Sequence, residues 1–399
     1  MQESFGKNGK ALSALVAAAI TVYTKNHKDV SMSALSAIIY LCRNDGVNIN
    51  TCCDHNVQRL GSNGACDAAV GILKLYGCVN SDVAFRGCWA ILNLSSNDSN
   101  NIKLGNAGAS DIVIEVLKKY GCSIQDVALF GCRAVCNLAV NGVNQTKLRV
   151  GGASDIIVEV LKKFGTINSD IALFGCRAII NLAANKTKLG GSGLCECCVD
   201  ILKKFGLTHS DVASEVCKAI SFLGSNDSNN KGKFGLCGAC EVVIDVLRKY
   251  GMTSSDCALY GSFAVYNLET QKNRIRMIGH GALDVVTAIT KATSITEEAR
   301  NKAKDALFKI TEEKGPQNKL FGKDKDKKKE PSMSTIDGIL EALQICQIDA
   351  SKNDLAERCF NAIVNLVKNN KEQQELFGRH ANAIQCITLT LTLTLPPLP

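Results

Sequence analysis

Proline is almost absent from this sequence. The five prolines are Pro316, Pro331, Pro396, Pro397 and Pro399, so the long stretch before Pro316 contains none. Because proline breaks helices, its absence favours an all-helical body. Aromatic residues make up 5% of the chain, but hydrophobic residues make up 46%, which is enough apolar material for a packed core. Disorder is therefore excluded for most of the chain.

The sequence also lacks a strong charge of either sign. Its 46 basic and 38 acidic residues give a net charge of +8, which is too small an excess to predict nucleic-acid binding. The apolar run Ala11–Ile20 is too short to span a bilayer, so we expect no membrane insertion. The 20 cysteines are spread through a long helical pattern, which favours reduced thiols in an intracellular protein. We expect a cytoplasmic protein, with the nucleus as a second compartment.

Groups that could perform catalysis do not form a recognisable pattern. The five histidines show no common spacing, and no glycine-rich phosphate-binding motif is present. We therefore expect no enzyme activity, no cofactor and no small-molecule substrate.

Cysteines near two corresponding helix starts are the candidates for a metal site, because they include a CxxC pair. They are Cys195, Cys197, Cys198, Cys237 and Cys240. However, Cys240 aligns with Ser110 and Ser154 in other copies of the pattern described below, so small buried side chains explain it. We expect no metal.

A repeated phrase is the main feature of the sequence. A lysine-rich segment followed by an aromatic residue and glycine recurs with spacings of 44, 44, 41 and 45 residues. The five copies are Tyr76-Gly77, Tyr120-Gly121, Phe164-Gly165, Phe205-Gly206 and Tyr250-Gly251. The segments 111–139 and 155–183 are identical at about two thirds of their positions, so one structural unit has been duplicated.

Each unit is predicted to hold one short helix and two longer ones. The segment 111–119 is apolar over most of a helix and ends in lysines, which the helix dipole favours. After Gly121, the pair Gln125-Asp126 predicts the start of the next helix, which extends to about Leu138. Asn-rich turns between units are followed by a Lys-Leu-Gly segment that predicts a short first helix.

Three helices in about 42 residues, with a glycine before the second and an asparagine late in the third, resemble armadillo repeats. The phrases 103–109 and 131–139 carry this resemblance, although the proline typical of the second helix is missing. It implies an all-α fold, a right-handed α-solenoid of about eight armadillo-like three-helix repeats. HEAT repeats, with two helices in a similar length, are the structural alternative.

The repeat register divides the chain into five parts. Residues 1–60 are expected to form a degenerate N-terminal capping repeat, and 61–314 to form six armadillo-like repeats. A charged flexible linker is predicted at 315–333, followed by a C-terminal repeat at 334–378. Residues 379–399 form a low-complexity Thr-Leu tail to which no function is assigned.

Candidate binding residues lie on the third helix of each unit. Aligned third helices form a long concave surface in a solenoid, and such a surface suits an extended peptide with unpaired backbone groups. The asparagine series is Asn93, Asn137, Asn181 and Asn267. The resemblance implies that these side chains bond the backbone of a bound peptide; the alternative is that each closes its own helix end. The fifth unit has Phe222 at this place and the seventh has Lys309.

The residues four positions before the asparagines determine the expected partner. They are Trp89, Arg133, Arg177, Lys218 and Phe263. Armadillo import adaptors place tryptophans here to bind basic cargo, and only Trp89 fits that pattern. The three basic residues are similar to catenin-type grooves and favour an acidic or phosphorylated peptide. Alternatively, they are solvated charges balanced by neighbouring acidic residues.

Three functional hypotheses follow from these residues. The leading one is a non-catalytic scaffold that binds an extended acidic or phosphorylated segment of a protein partner. The second is an importin-like adaptor for basic cargo peptides, and the third is a regulatory armadillo segment of a larger multidomain enzyme.

Overall fold

The computed structural model describes residues 28–42, 54–182 and 186–311. Every regular element within these ranges is a helix, as the scarcity of proline predicts. The first part of the chain forms α1 (Lys28–Cys42), α2 (Asp54–Ser62), α3 (Ala65–Ile72), α4 (Ser81–Leu94), α5 (Asp98–Ala107), α6 (Ala109–Tyr120), α7 (Gln125–Leu138), α8 (Gly142–Val150), α9 (Ala153–Phe164) and α10 (Ser169–Leu182). The second part forms α11 (Lys186–Gly191), α12 (Leu194–Phe205), α13 (Ser210–Gly224), α14 (Ser228–Cys237), α15 (Ala239–Tyr250), α16 (Ser255–Leu268), α17 (Gln271–Gly279), α18 (Ala282–Lys291) and α19 (Glu297–Thr311).

The helices are organised in threes, as the period predicts. Six complete repeats within the described ranges begin at α2, α5, α8, α11, α14 and α17. The first helix of each repeat has 6 to 10 residues, and the third has 14 or 15. The third helices pack against one another in chain order, beginning with α1 and ending with α19.

Leucines at the ends of the third helices belong to the core that joins neighbouring repeats. Burying one such side chain contributes about 2 kcal/mol to folding. The leucines are Leu94, Leu138, Leu182, Leu223 and Leu268, and all are fully buried.

The predicted start of the third helices is correct, but the residue before the predicted one caps α4, α10 and α16, whereas α7 and α13 have no side-chain cap. Ser81 is the first residue of α4, and the preceding Asn80 accepts a hydrogen bond from the Val83 amide at 2.9 Å. At α16 the Ser254 hydroxyl oxygen accepts in the same way from Cys257. The acidic residue at the second position, such as Asp82, lies in the first turn, where the helix dipole favours it.

Glycine is needed at the junction between the first and second helices. The backbone there turns with φ between +84° and +95°, a region that a Cβ atom makes unfavourable. The second helix then begins at the next residue. The junction glycines are Gly64, Gly108, Gly152, Gly193, Gly238 and Gly281.

Buried asparagines connect consecutive first helices. The Asn144 amide of α8 donates to the Asn101 carbonyl oxygen of α5 at 2.8 Å. Gly105 leaves the room for it, since a Cβ there would come within 1.7 Å of Asn144 Oδ1. The same relationship recurs for Gly61 with Asn100, Gly190 with Asn230, and Gly235 with Asn273.

Basic residues at the ends of the second helices also connect neighbouring repeats. Lys74 lies in the π-helical segment Leu73–Gly77 that continues α3, and its Nζ donates to the Ala107 carbonyl oxygen at 2.7 Å. Arg248 of α15 donates to the His280 carbonyl oxygen at 2.7 Å. These acceptors lie at the C-terminal ends of the next first helices, whose last carbonyls have no partner within the helix. The lysine-rich phrase of the repeat therefore joins one repeat to the next.

The described residues all belong to the first of two units, Met1–Glu313 and Lys314–Pro399. The predicted linker at 315–333, C-terminal repeat at 334–378 and tail at 379–399 lie outside the described residues, as does most of the cap at 1–60. The predicted boundary at residue 60 falls inside α2, the first helix of the first complete repeat. None of the described helices is long and apolar enough to cross a bilayer.

Candidate functional site: the third-helix face

Three positions on each third helix define a continuous surface, which we call the third-helix face. The asparagine position holds Asn93, Asn137, Asn181, Phe222, Asn267 and Lys309 in α4 to α19. The −4 position, four residues earlier, holds Trp89, Arg133, Arg177, Lys218, Phe263 and Asp305. The −7 position holds Arg86, Phe130, Phe174, Glu215, Tyr260 and Lys302.

The asparagines bond to the preceding third helix. Asn137 Nδ2 donates to the Leu92 carbonyl oxygen at 3.2 Å, and Asn181 Nδ2 donates to the Cys136 carbonyl oxygen at 3.1 Å. Asn267 Nδ2 donates in the same way to two atoms of Ser221, the carbonyl oxygen and the hydroxyl oxygen. The amides thus connect repeats rather than closing their own helix ends.

Part of each asparagine is still available for a ligand. The side chains of Asn137, Asn181 and Asn267 are half-buried, and in the described part of the structure their Oδ1 atoms accept no hydrogen bond. Asn93 is different, since it is buried and its amide lies 3.4 Å from the Ile39 carbonyl oxygen. The three later asparagines therefore present acceptors, one in each repeat, with α13 interrupting the series at Phe222.

Each residue at the −4 position contacts the −7 residue of the next third helix. At the start of the series, Arg86 Nη1 donates to the Ser36 hydroxyl of α1 at 2.7 Å. Trp89 then stacks on Phe130, with ring centroids 4.7 Å apart and planes at 30°. Phe85 packs against both rings, so α4 and α7 share an aromatic cluster.

Basic residues at the −4 position lie over aromatic rings of the following helix. The Arg133 guanidinium carbon is 4.6 Å from the centre of the Phe174 ring, and Lys218 Nζ is 5.0 Å from that of Tyr260. A ring face attracts a cation without neutralising it. Arg133 and Lys218 therefore add cation–π contacts between neighbouring third helices, and Arg133 is only 8% exposed.

Arg177 is the exception, because an acidic residue neutralises it. Its Nε and Nη2 atoms lie 3.2 and 3.1 Å from Glu215 Oε2. The Glu215 side chain is 8% exposed and that of Arg177 is 40% exposed. The basic residues were expected either to bind an acidic ligand or to be balanced by neighbouring acidic residues. Arg177 is balanced by an acidic residue of the same protein, Glu215.

The last pair reverses the order of the two side chains. Phe263 is at the −4 position, and Lys302 of α19 lies with its Nζ 4.5 Å from the centre of that ring. Lys302 also contacts the Tyr266 ring at 4.2 Å and pairs with Asp305 at 3.1 Å. An aromatic ring therefore takes part in every pair from Trp89–Phe130 to Phe263–Lys302 except Arg177–Glu215.

Cys195, Cys197, Cys198 and Cys240 are buried, and Cys237 is half-buried. Burial raises the pKa of Cys195 and Cys240 to about 12, which disfavours the thiolate form that binds metals. Within the described ranges no group of three or more His, Cys, Asp or Glu side chains is arranged to hold a metal ion.

The −7 position is a part of the face that the sequence did not predict. Phe130, Phe174 and Tyr260 lie three residues before the −4 residues and thus on the same helix side. The recurrence of large side chains at this place was the available signal. The sequence spacing does not predict that each −7 residue contacts the −4 residue of the preceding third helix, because that contact depends on the offset between the two helices.

Known structures resemble this chain in fold. An engineered protein superposes with a TM-score of 0.51 at 18% identity, covering 62% of this chain and 96% of that one. A designed armadillo repeat protein has a TM-score of 0.50 at 19% identity, covering 61% and 99%. Another engineered protein has a TM-score of 0.52 at 13% identity, covering 99% and 96%. No protein-family model matches the sequence, and a search of curated proteins also gives no match.

At less than 25% identity these likenesses concern the fold alone. The described part of the chain is an all-α solenoid built of armadillo-like repeats.

Proposed function

We propose that the third-helix face binds an extended acidic or phosphorylated segment of a partner protein, and that the chain acts as a non-catalytic scaffold. The observation that carries this proposal is the unbroken series of −4 and −7 contacts from α1 to α19. Each third helix presents one such pair of side chains to an extended chain, and successive pairs are about 8–10 Å apart, the spacing of packed helices. An extended segment needs such periodic partners because its backbone groups are unpaired.

The charge of the face supports an acidic ligand. At the two positions the basic residues outnumber the acidic ones by five to two: Arg86, Arg133, Arg177, Lys218 and Lys302 against Glu215 and Asp305. Arginine and lysine donate several hydrogen bonds to carboxylate or phosphate oxygens. The Oδ1 atoms of the asparagines add acceptors for backbone N–H groups of the same segment.

A titration with labelled peptides tests this function. Acidic, phosphorylated and basic peptide pools are added to the whole chain, and both peptide polarisation and intrinsic fluorescence are followed. Trp89 is the only tryptophan of the chain, and its ring lies on the third-helix face, so binding there changes its emission. We expect the acidic and phosphorylated pools to bind more tightly, with affinity falling as salt is added.

A charge reversal locates the binding surface. Lys218→Glu is expected to weaken acidic-peptide binding by about tenfold or more. Lys119→Glu makes the same change on an exposed residue of the second helix α6, and it is expected to leave binding unchanged. Lys218 is a better choice than Arg133, whose burial would couple the substitution to folding.

Two results would contradict this function. Equal effects of Lys218→Glu and Lys119→Glu would place binding elsewhere on the molecule. Preference for the basic pool would favour the import-adaptor hypothesis, in which the aromatic cluster of Trp89 and Phe130 receives the stems of basic side chains.

A further inference from the structure

The first helices hold a large excess of basic residues. Together α5, α8, α11, α14 and α17 contain ten basic residues and one acidic residue, Asp98. By contrast, each of the second helices α6, α9, α12 and α15 contains two acidic and two basic residues. The excess on the five first helices is larger than the net charge of +8 of the whole sequence, so positive charge is concentrated on this helix type.

Contacts between first helices hold several of these basic residues in place. Lys147 Nζ donates to the Gly105 carbonyl oxygen of the preceding first helix at 2.8 Å. Lys103 donates in the same way to Gly61 at 3.1 Å, and Lys233 to Gly190 at 2.8 Å. An ammonium group that donates to a carbonyl oxygen keeps its charge. Within the described ranges α5 contacts α8, and α14 contacts both α11 and α17, so the helices form two rows. We call the exposed residues of these rows the first-helix edge.

Exposed apolar side chains recur on the same helices. Val150 and Leu236 are each 81% exposed, and both lie two residues before the junction glycine. Ile102 and Ile275 are 51% and 66% exposed, and both lie six residues before it. The two places are four residues apart and thus lie on one side of the helix. Apolar side chains that recur at exposed places mark a surface for an apolar medium or partner.

Exposed basic side chains lie beside these apolar ones. Arg149 directly precedes Val150 in α8, and Lys272 lies three residues before Ile275 in α17. Both basic side chains are exposed. The first-helix edge thus presents apolar and cationic groups together.

The acidic residues near the edge leave this excess in place. Asp98 lies in the first turn of α5, and Asp227 caps the start of α14. Lys188 and Arg276 pair with carboxylates of second helices, at 2.8 and 3.6 Å. The argument therefore rests on Arg149 and Lys272 and on the lysines that donate to carbonyl oxygens.

A bilayer surface that contains anionic lipids matches both properties of the edge. Its phosphate and carboxylate headgroups attract lysine and arginine, and the boundary below them accepts apolar side chains. A nucleic-acid duplex matches the charge but leaves Val150 and Leu236 in water. Single-stranded nucleic acid is bound by aromatic side chains that stack on its bases, and the one aromatic residue of the five helices, Phe234, is fully buried.

We propose that the first-helix edge binds the surface of bilayers that contain anionic lipids. Arg149 and Lys272 contact the headgroups, and the side chains of Val150, Leu236 and Ile275 enter the boundary between headgroups and acyl chains. The contact is peripheral and leaves the solenoid outside the hydrocarbon core. It uses helices other than those of the third-helix face, so this inference does not depend on the proposed function.

Vesicle flotation with the whole chain tests the lipid preference. One set of vesicles is phosphatidylcholine alone, and in the other phosphatidylserine replaces about a third of it. We expect at least about tenfold tighter binding to the anionic vesicles. This binding should weaken as salt is added, because salt screens the attraction between the basic residues and the headgroups.

A pair of charge reversals locates the electrostatic contact. Arg149→Glu combined with Lys272→Glu is expected to weaken binding to the anionic vesicles by at least about tenfold. Lys119→Glu combined with Lys163→Glu is the matched control, since it makes the same change at exposed residues of the second helices α6 and α9. The control should bind as the native chain does.

A second pair of variants tests the apolar contact. Val150→Gln combined with Leu236→Gln is expected to weaken binding by at least about fivefold, because the polar side chains do not enter the boundary. Val79→Gln combined with Ile167→Gln is the control, since these residues are 74% and 62% exposed but lie after second helices. Circular dichroism and the melting temperature show that each variant is folded.

The outcomes decide between a membrane surface and other partners. Failure to bind the anionic vesicles, or equal binding to both kinds of vesicle, overturns the proposal. Equal losses in the edge variants and their controls also overturn it, because binding then lies elsewhere. Tighter binding of a DNA or RNA duplex than of vesicles, with no loss in the glutamine variant of the edge, would identify a nucleic-acid surface instead. Titration with acidic peptides should be unchanged in both edge variants, which separates this surface from the third-helix face.

Discussion

Gly105 of one first helix lies directly against Asn144 of the next, so closely that a Cβ atom on Gly105 would come within 1.7 Å of Asn144 Oδ1. Asn144 is 1% exposed and donates to the backbone of Asn101. The absence of a side chain at one position thus permits a buried hydrogen bond at another.

Gly105→Ala is therefore expected to destabilise the chain, although alanine is the better helix former. The added methyl group must displace Asn144 or its hydrogen bond, at a cost of about 2–4 kcal/mol. Chemical denaturation followed by helicity measures this loss. Gly142→Ala is the control, because a Cβ there meets nothing within 4 Å, and its effect should be below about 1 kcal/mol. Equal stability of the two variants would contradict the packing argument.

Gly152→Ala tests the backbone conformation of a junction glycine separately from its packing. A Cβ at this glycine has only Asp155 Oδ2 near it, at 3.9 Å, so space is available. The backbone φ of +87° remains unfavourable, and we expect a loss of about 1–2 kcal/mol in the free energy of unfolding. Gly152→Asn should lose less, since asparagine tolerates this conformation better. A larger loss for asparagine than for alanine would argue against backbone strain as the cause.

Cys240→Ser should change how stability depends on alkaline pH. Burial raises the pKa of the Cys240 thiol from 9.0 to about 12, while in the unfolded chain it titrates near its ordinary value. The folded state thus holds this proton more tightly, and the stabilisation is complete below pH 9 and is lost as pH rises from 9 to about 12. In that window the thiol contributes a slope of up to about 1.4 kcal/mol per pH unit.

The serine variant is expected to lose less stability than the native protein between pH 9 and 10.5. Serine is found at the equivalent buried places, Ser110 and Ser154, so the fold accepts it. Melting curves under reducing conditions make the comparison. Parallel pH profiles for the two proteins would show that the Cys240 thiol does not titrate differently on folding.

Thiol labelling should distinguish Cys122 from its neighbours in the native protein. Cys122 is exposed, whereas Cys132 and Cys217 are buried on third helices. A maleimide at pH 8 is expected to label Cys122 at least about tenfold faster than these two. Peptide mapping by mass spectrometry assigns each site. Comparable rates without denaturant would mean that the third helices open readily, and in denaturant the difference should disappear.

The sequence predicts the fold well because the repeat period is visible in many residues at once. The junction glycine recurs in all six described repeats and the aromatic-Gly end of the second helix in five of them, so each recurrence strengthens the prediction of the others. By contrast, the Asn-rich turns gave no indication that Asn100 and Asn144 are buried. Their burial depends on a glycine in the preceding repeat, which only the packed structure brings near.

The site was predicted less completely, for a similar reason. Helical periodicity placed Trp89 and Arg133 on one side of their helices, and the structure adds Phe130 and Phe174 as their contacts. The ion pair between Arg177 and Glu215 joins residues 38 positions apart. Basic side chains in a sequence indicate a positive surface, but their partners decide how much of the charge is available to a ligand.

The glycine–asparagine contact between first helices also allows the chain to change length by whole repeats. Gly61 meets Asn100 as Gly105 meets Asn144, so the two junctions have matching halves. Removal of residues 98–141, which is one period of the sequence, would place Asn144 against Gly61. It would also place Asn97 directly before α8, where Asn141 now caps the helix. A shorter solenoid could then form with its junctions intact. Duplication of the same segment would lengthen the third-helix face by one step, so recombination at this junction can alter the length of that face.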